Sequence, residues 1–88
     1  MICKHAYYYG RVQGVGFRYT AQSLAEGFAV AGYVRNLRDG SVELVAQGEP
    51  ARIDDFLKAV ATQMAGYIER VTESDETPGN YQGFQIRH

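Results

Sequence analysis

The sequence predicts an α+β domain in the order β-α-β-β-α-β with a short fifth strand, an antiparallel sheet covered by two helices on one face. Three observations carry this. The apolar spacing changes from strand-like to helical at Phe17, Asp39-Gly40 separates two alternating runs, and Pro50 opens a second amphipathic run. The 88 residues allow one domain, spanning 1–88.

Each element has its own warrant. Residues 4–10 contain Tyr7, Tyr8 and Tyr9, which favour a strand. Gly14 and Gly16 then mark a loop. From Phe17 onward, Ala21, Leu24, Ala25 and Phe28 share one helical face. Val30 to Asn36 forms the second strand, with Val30, Gly32, Val34 and Asn36 on one side. Asp39-Gly40 is a hairpin signal, after which Val42, Leu44 and Ala46 alternate with Glu43, Val45 and Gln47. That alternation predicts a sheet covered on one face only. Pro50 suits a first helical turn, where its missing N–H is not needed. Ile53, Phe56, Leu57, Val60 and Met64 follow at helical spacing, Arg52, Asp54, Asp55 and Lys58 face outward, and Gly66 ends the helix. Tyr67 to Glu73 is the fourth strand, where the three-residue step from Ile68 to Val71 predicts a bulge. Glu73 to Gln82 is polar and reads as a surface loop. Phe84, Ile86 and His88 alternate in the last strand. The whole is a ferredoxin-like arrangement.

Composition excludes several function classes. The net charge of −1 argues against an electrostatic grip on nucleic acid, which needs a basic face. Cys3 is the single cysteine, so neither an intrachain disulfide nor a metal cluster with His5 and His88 is expected. There is no signal-peptide pattern and no apolar run near the ~20 residues that span a bilayer. A cytoplasmic location is the expectation.

The informative segment is Gly10-Arg11-Val12-Gln13-Gly14-Val15-Gly16-Phe17-Arg18. A glycine loop leading from a strand into a helix can aim successive backbone N–H groups at an anion. Arg18, in the first helical turn, can swing its guanidinium back over the same anion. Loop and arginine together make a dianion site without a metal, although two glycines before a helix also serve as a plain tight turn. Asn36 closes the second strand. A right-handed β-α-β crossover makes strands one and two parallel, so Asn36 and the glycine loop reach the same edge. Asn36 equally fits a turn residue before Leu37-Arg38-Asp39-Gly40. His5 and His88 have no evident carboxylate partner and read as strand residues. The tyrosines read as sheet packing.

These runs resemble a known family. Gly10 to Arg18 followed by Tyr19-Thr20 is similar to the first signature of the acylphosphatases. Gly32-Tyr33-Val34-Arg35-Asn36-Leu37 with Asp39-Gly40-Ser41-Val42-Glu43 is similar to the second, and Phe84-Gln85-Ile86-Arg87 to the family's end. The resemblance implies the sheet order 4-1-3-2-5 and hydrolysis of the carboxyl–phosphate bond of small acyl phosphates. It implies that Arg18 binds the phosphoryl group, that Asn36 orients the attacking water, and that Gln13, Gly14, Val15, Gly16 and Phe17 supply a backbone phosphate cradle. It further implies a monomer with no cofactor, no metal, and no nucleic-acid or membrane partner, with inorganic phosphate as product and inhibitor. An alternative within the same likeness is a domain serving a larger carbamoyl-transfer enzyme. The chain departs from the family at Tyr33, Arg38, Ala29 and His88, where Trp, Pro, Gly and Tyr are usual. Either Gly27 or Ala29 ends the first helix.

Overall fold

The computed structural model describes residues 1–88. Its elements follow the predicted order: β1 (Ile2–Gly10), α1 (Phe17–Phe28), β2 (Ala31–Asn36), β3 (Val42–Gly48), α2 (Pro50–Gln63), β4 (Ile68–Glu76) and β5 (Phe84–Arg87). The strands lie side by side as β4-β1-β3-β2-β5. β3 pairs antiparallel with both β1 and β2. β1 and β2 therefore run the same way, and their C-terminal ends emerge at one end of the sheet. No helix is long and apolar enough to cross a membrane.

Apolar spacing places the helices. α1 buries Phe17, Ala21 and Ala25, and α2 buries Ile53, Phe56 and Val60. These meet Ala6, Tyr8, Val34, Val42, Leu44 and Ala46 from the sheet in one core. The open choice at the end of α1 falls on Ala29, which adopts φ 56° and ψ 45°. The Val30 N–H then reaches back to the Ala25 carbonyl at 3.1 Å, as in a Schellman cap, and both side chains join the core. α2 closes earlier than Gly66. Its cap is Met64, whose side chain is buried and whose carbonyl accepts from the Tyr67 N–H at 2.9 Å to turn the chain.

The fully antiparallel sheet is corrected at its far edge, where β5 pairs parallel with β2. The cause is reach. Four strand spacings separate β4 from β5, about 19 Å, and the seven residues between Glu76 and Phe84 extend about 23 Å. The chain must therefore enter β5 at the end of the sheet where it leaves β4, which aligns β5 with β2. The polar stretch is not wholly loop either, since β4 continues through Glu76 against Cys3. The expected bulge is present: Tyr9 pairs with Arg70 and Gly10 with Ile68, which leaves Glu69 as the extra residue.

The expectation of one covered face also needs correction. Both helices do lie on one face, but the crossing segment covers part of the other. Gln47 Nε2 donates to the Gly79 carbonyl at 2.9 Å, and the Gly79 N–H donates to Gln47 Oε1 at 2.7 Å. Tyr81 packs against a small second cluster of Cys3, Tyr33 and Val45. Every residue of β3 is consequently buried. The buried Glu43 carboxylate is held there by Arg35, whose Nε and Nη2 donate to Oε1 at 3.0 and 2.7 Å. His5, read from sequence as lacking a carboxylate partner, has two. Its Nε2 meets Glu43 Oε2 at 2.8 Å and its Nδ1 meets Glu76 Oε1 at 2.6 Å. Sequence could not show this, because the partners come from two different neighbouring strands.

Two expected outcomes follow from this packing. Burial of the His5 ring disfavours its charge, but the hydrogen bonds to Glu76 and Glu43 outweigh that and raise its pKa. The unfolded value is about 6.5. The stabilisation is fully present below that value and is lost as pH rises through the higher folded one. Melting temperature should therefore fall between mildly acidic and alkaline pH, and His5→Gln should flatten the slope. An unchanged slope in the mutant would contradict this assignment. Ala29 in the left-handed region costs roughly 1 kcal/mol relative to glycine. Ala29→Gly should raise the melting temperature by about 4–8 °C, the shift expected per 1 kcal/mol for a domain of this size. Calorimetry of the mutant checks it.

Candidate active site

The loop between β1 and α1 is fixed at both ends. Arg11 N–H donates to the Tyr67 carbonyl at 2.9 Å, and Val12 is buried directly after it. At the other end Phe17 packs its ring against Tyr8, with centroids 4.8 Å apart. Between these anchors Gly14 and Gly16 take φ values of 76° and 80°, which side-chain-bearing residues rarely adopt. Gly16 is the N-cap of α1 and brings no side chain to cap it. The consequence is chemical. None of the backbone N–H groups from Gln13 to Tyr19 donates to another group of the protein. They are clustered at the positive end of a helix dipole.

Gln13 does something the sequence did not show. Its side chain turns toward the β2–β3 hairpin, where Nε2 donates to the Leu37 carbonyl at 2.7 Å and the Ser41 carbonyl at 2.9 Å. Two acceptors require the amide nitrogen on that side. The hairpin is closed internally by Asp39, whose Oδ1 accepts from both the N–H and the hydroxyl of Ser41. These bonds from the Ser41 hydroxyl and N–H hold the Asp39 carboxyl below its usual pKa. Asn36 is the last paired residue of β2, opposite Val42, and lies on the same side of the strand as Val34.

A cleft of about 310 Å³ opens where these pieces meet. Gly14, Gly16, Phe17, Arg18 and Asn36 all line it, so the structure brings together five of the seven sequence-predicted site residues. Gln13 and Val15 are not on its wall. Gln13 braces the hairpin, and Val15 packs its side chain on the core, so either can contribute only its backbone. The bland assignment of Asn36 as a turn residue is incomplete, since its position at the strand end also puts it on the cleft.

The wall includes residues that sequence reasoning passed over. Val12, Tyr19 and Ile86 give it an apolar part, and His88 stands beside Arg18 with Nδ1 3.3 Å from Nη1. A signal for His88 was present. Phe84, Ile86 and His88 alternate, and the first two face the helices, so the third does too. What sequence lacked was the parallel pairing of Arg87 with Arg35, which sets His88 alongside Asn36. No group of three or more His, Cys, Asp or Glu side chains with the makings of a metal site occurs in the structure.

Comparison with known proteins agrees with this fold. The family model described as "Acylphosphatase" matches residues 4–86. An acylphosphatase of Petrotoga mobilis is 46% identical over 90 residues, covering 100% of both chains. The crystal structure of an acylphosphatase from Bacillus subtilis superposes with a TM-score of 0.91 at 30% identity, covering 100% of each chain. The structure of an acylphosphatase from Coxiella burnetii gives 0.86 at 31% identity, over 98% of this chain and 92% of that one. The five-stranded fold and the full-length match together show that this chain belongs to the acylphosphatase family, enzymes that act on small acyl phosphates.

Proposed function

We propose that the chain hydrolyses acyl phosphates without a metal ion, by in-line attack of a water on a phosphoryl group held by Arg18 and the 13–17 loop. The observation that carries this is the run of N–H groups from Gln13 to Tyr19 with no partner in the protein, beside an arginine in the same cleft. A dianion satisfies both at once.

The chemistry asks little more of the protein. Phosphoryl transfer through a loose transition state needs positioning and charge stabilisation. The leaving group is a carboxylate, whose conjugate acid has a pKa of roughly 4, so it departs without a general acid. Positive charge on the phosphoryl oxygens comes from the Arg18 guanidinium and the loop N–H dipoles, which leaves no step that requires a metal. Asn36, across the cleft from the loop, holds the water with its carboxamide. The water's proton passes to a phosphoryl oxygen of the substrate. The enzyme acts as a cytoplasmic monomer, takes no nucleic-acid partner, and is inhibited by its product, inorganic phosphate, which fits the same cradle.

Two mutants separate the roles. Arg18→Gln should nearly abolish turnover of an aryl acyl phosphate and weaken phosphate inhibition, because a contact made throughout the reaction is lost. Asn36→Ala should lower kcat by a factor on the order of 10² while phosphate Ki stays near its original value, because only the water loses its position. Circular dichroism confirms folding, and excess EDTA should leave the wild-type rate unchanged. A folded Arg18→Gln enzyme with normal turnover and phosphate affinity would sink the proposed site.

A further inference from the structure

We propose that the side chain of Tyr19 contacts the acyl group, and that the enzyme prefers acyl phosphates with an apolar, uncharged acyl part over those that carry a second charge there. The inference rests on the phosphoryl site proposed above and names what lies beyond it.

The cleft has two chemically different parts. The loop and Arg18 suit the phosphoryl end that all acyl phosphates share. The rest is an apolar wall of Val12, Phe17, Tyr19 and Ile86. Val12 and Phe17 are already buried in the core, and Ile86 is half-buried. Tyr19 is 75% exposed. It is therefore the wall residue on which a ligand can still take a large aromatic area out of water. A single exposed tyrosine elsewhere on the surface would need no explanation. This one directly follows Arg18 in the first turn of α1 and lines the same cleft.

The reaction geometry sends the acyl group toward that ring. In-line displacement places the departing carboxylate on the far side of phosphorus from the attacking water. The water site at Asn36 lies at a half-buried strand end, so the acyl group leaves toward the exposed side of the cleft. That side is formed by Gly14, Gly16, Tyr19 and His88. The glycines have no side chain, and the His88 ring is turned to Arg18. Tyr19 is the group there with a large apolar surface.

A second charge on the acyl group finds no partner. No aspartate, glutamate or lysine lines the cleft, and its one arginine is taken by the phosphoryl group. On its other side Tyr19 shares a shallow depression with Gln22, Ser23 and Glu26. An acyl chain ending in a carboxylate would run toward a like charge.

The test compares kcat/KM for acetyl and butanoyl phosphate, whose leaving carboxylates are nearly equal in basicity, so the chemistry at phosphorus is matched. A fully buried methylene is worth about fourfold, so two partly buried ones should favour butanoyl phosphate by about five- to tenfold. Tyr19→Ser should cut that advantage to less than about twofold, and Tyr19→Phe, which keeps the ring, should retain it. Adding a charge to the acyl part, as in 4-carboxybenzoyl against benzoyl phosphate, should lower kcat/KM on the order of tenfold in the wild type. Equal kcat/KM for acetyl and butanoyl phosphate, with inorganic phosphate still inhibiting, would overturn the acyl contact and leave the phosphoryl site standing. A full butanoyl advantage in Tyr19→Ser would overturn the role of Tyr19. Equal use of the two benzoyl substrates would overturn the preference for an uncharged acyl group. No hydrolysis of any of them, and no phosphate binding by calorimetry, would remove the phosphoryl site and this inference with it.

Discussion

The carboxamide of Gln13 ties together two segments that the chain keeps apart. The glycine loop and Arg18 belong to the β1–α1 connection and the first turn of α1, and Asn36 belongs to the end of β2. The only side-chain hydrogen bonds between them run from Gln13 Nε2 to the carbonyls of Leu37 and Ser41, the two ends of the hairpin turn. The turn is itself stiffened by Asp39 and Ser41. A movement of the hairpin relative to the loop therefore has to break both bonds of the part-buried Gln13 amide, which is costly when that donor is left without a partner.

Topology makes that link possible. Because β3 runs antiparallel between β1 and β2, the loop after β1 and the last residue of β2 emerge at the same end of the sheet. The reach of the 77–83 segment then forces β5 to run the same way, and His88 arrives at that end too. The opposite face carries no part of the cleft. It carries a network of paired charges, with His5 between Glu43 and Glu76 and Arg35 on Glu43. Stability and chemistry are thus divided between the two sides of one sheet. Substitutions in the His5 network should report mainly on folding, and substitutions at the loop on binding.

Sequence made the elements legible wherever one period dominated. The helical faces starting at Phe17 and Ile53, the Asp39-Gly40 turn and the bulge before Arg70 were all readable from spacing alone. The glycine loop, Arg18 and Asn36 were readable as candidates because their chemistry is local to two short runs. What escaped was whatever depends on which strands become neighbours. The parallel β5, the cover supplied by Gly79, the carboxylates around His5, and His88 beside Arg18 all join residues between 32 and 71 positions apart. The resemblance pointed to the backbone of Gln13. Its side-chain role needed the hairpin to be placed first.

The central claim is that function depends on holding the anion loop and Asn36 in one fixed relation through Gln13. Gln13→Leu removes that link while keeping the loop backbone and Arg18. The measurement is kcat and phosphate Ki of this mutant on an aryl acyl phosphate, with its melting temperature as a control. The account predicts a folded protein whose kcat falls on the order of 10²-fold, as a misplacement of about 1 Å can cause, while phosphate Ki changes only a few-fold. A folded Gln13→Leu enzyme with wild-type kcat would contradict it.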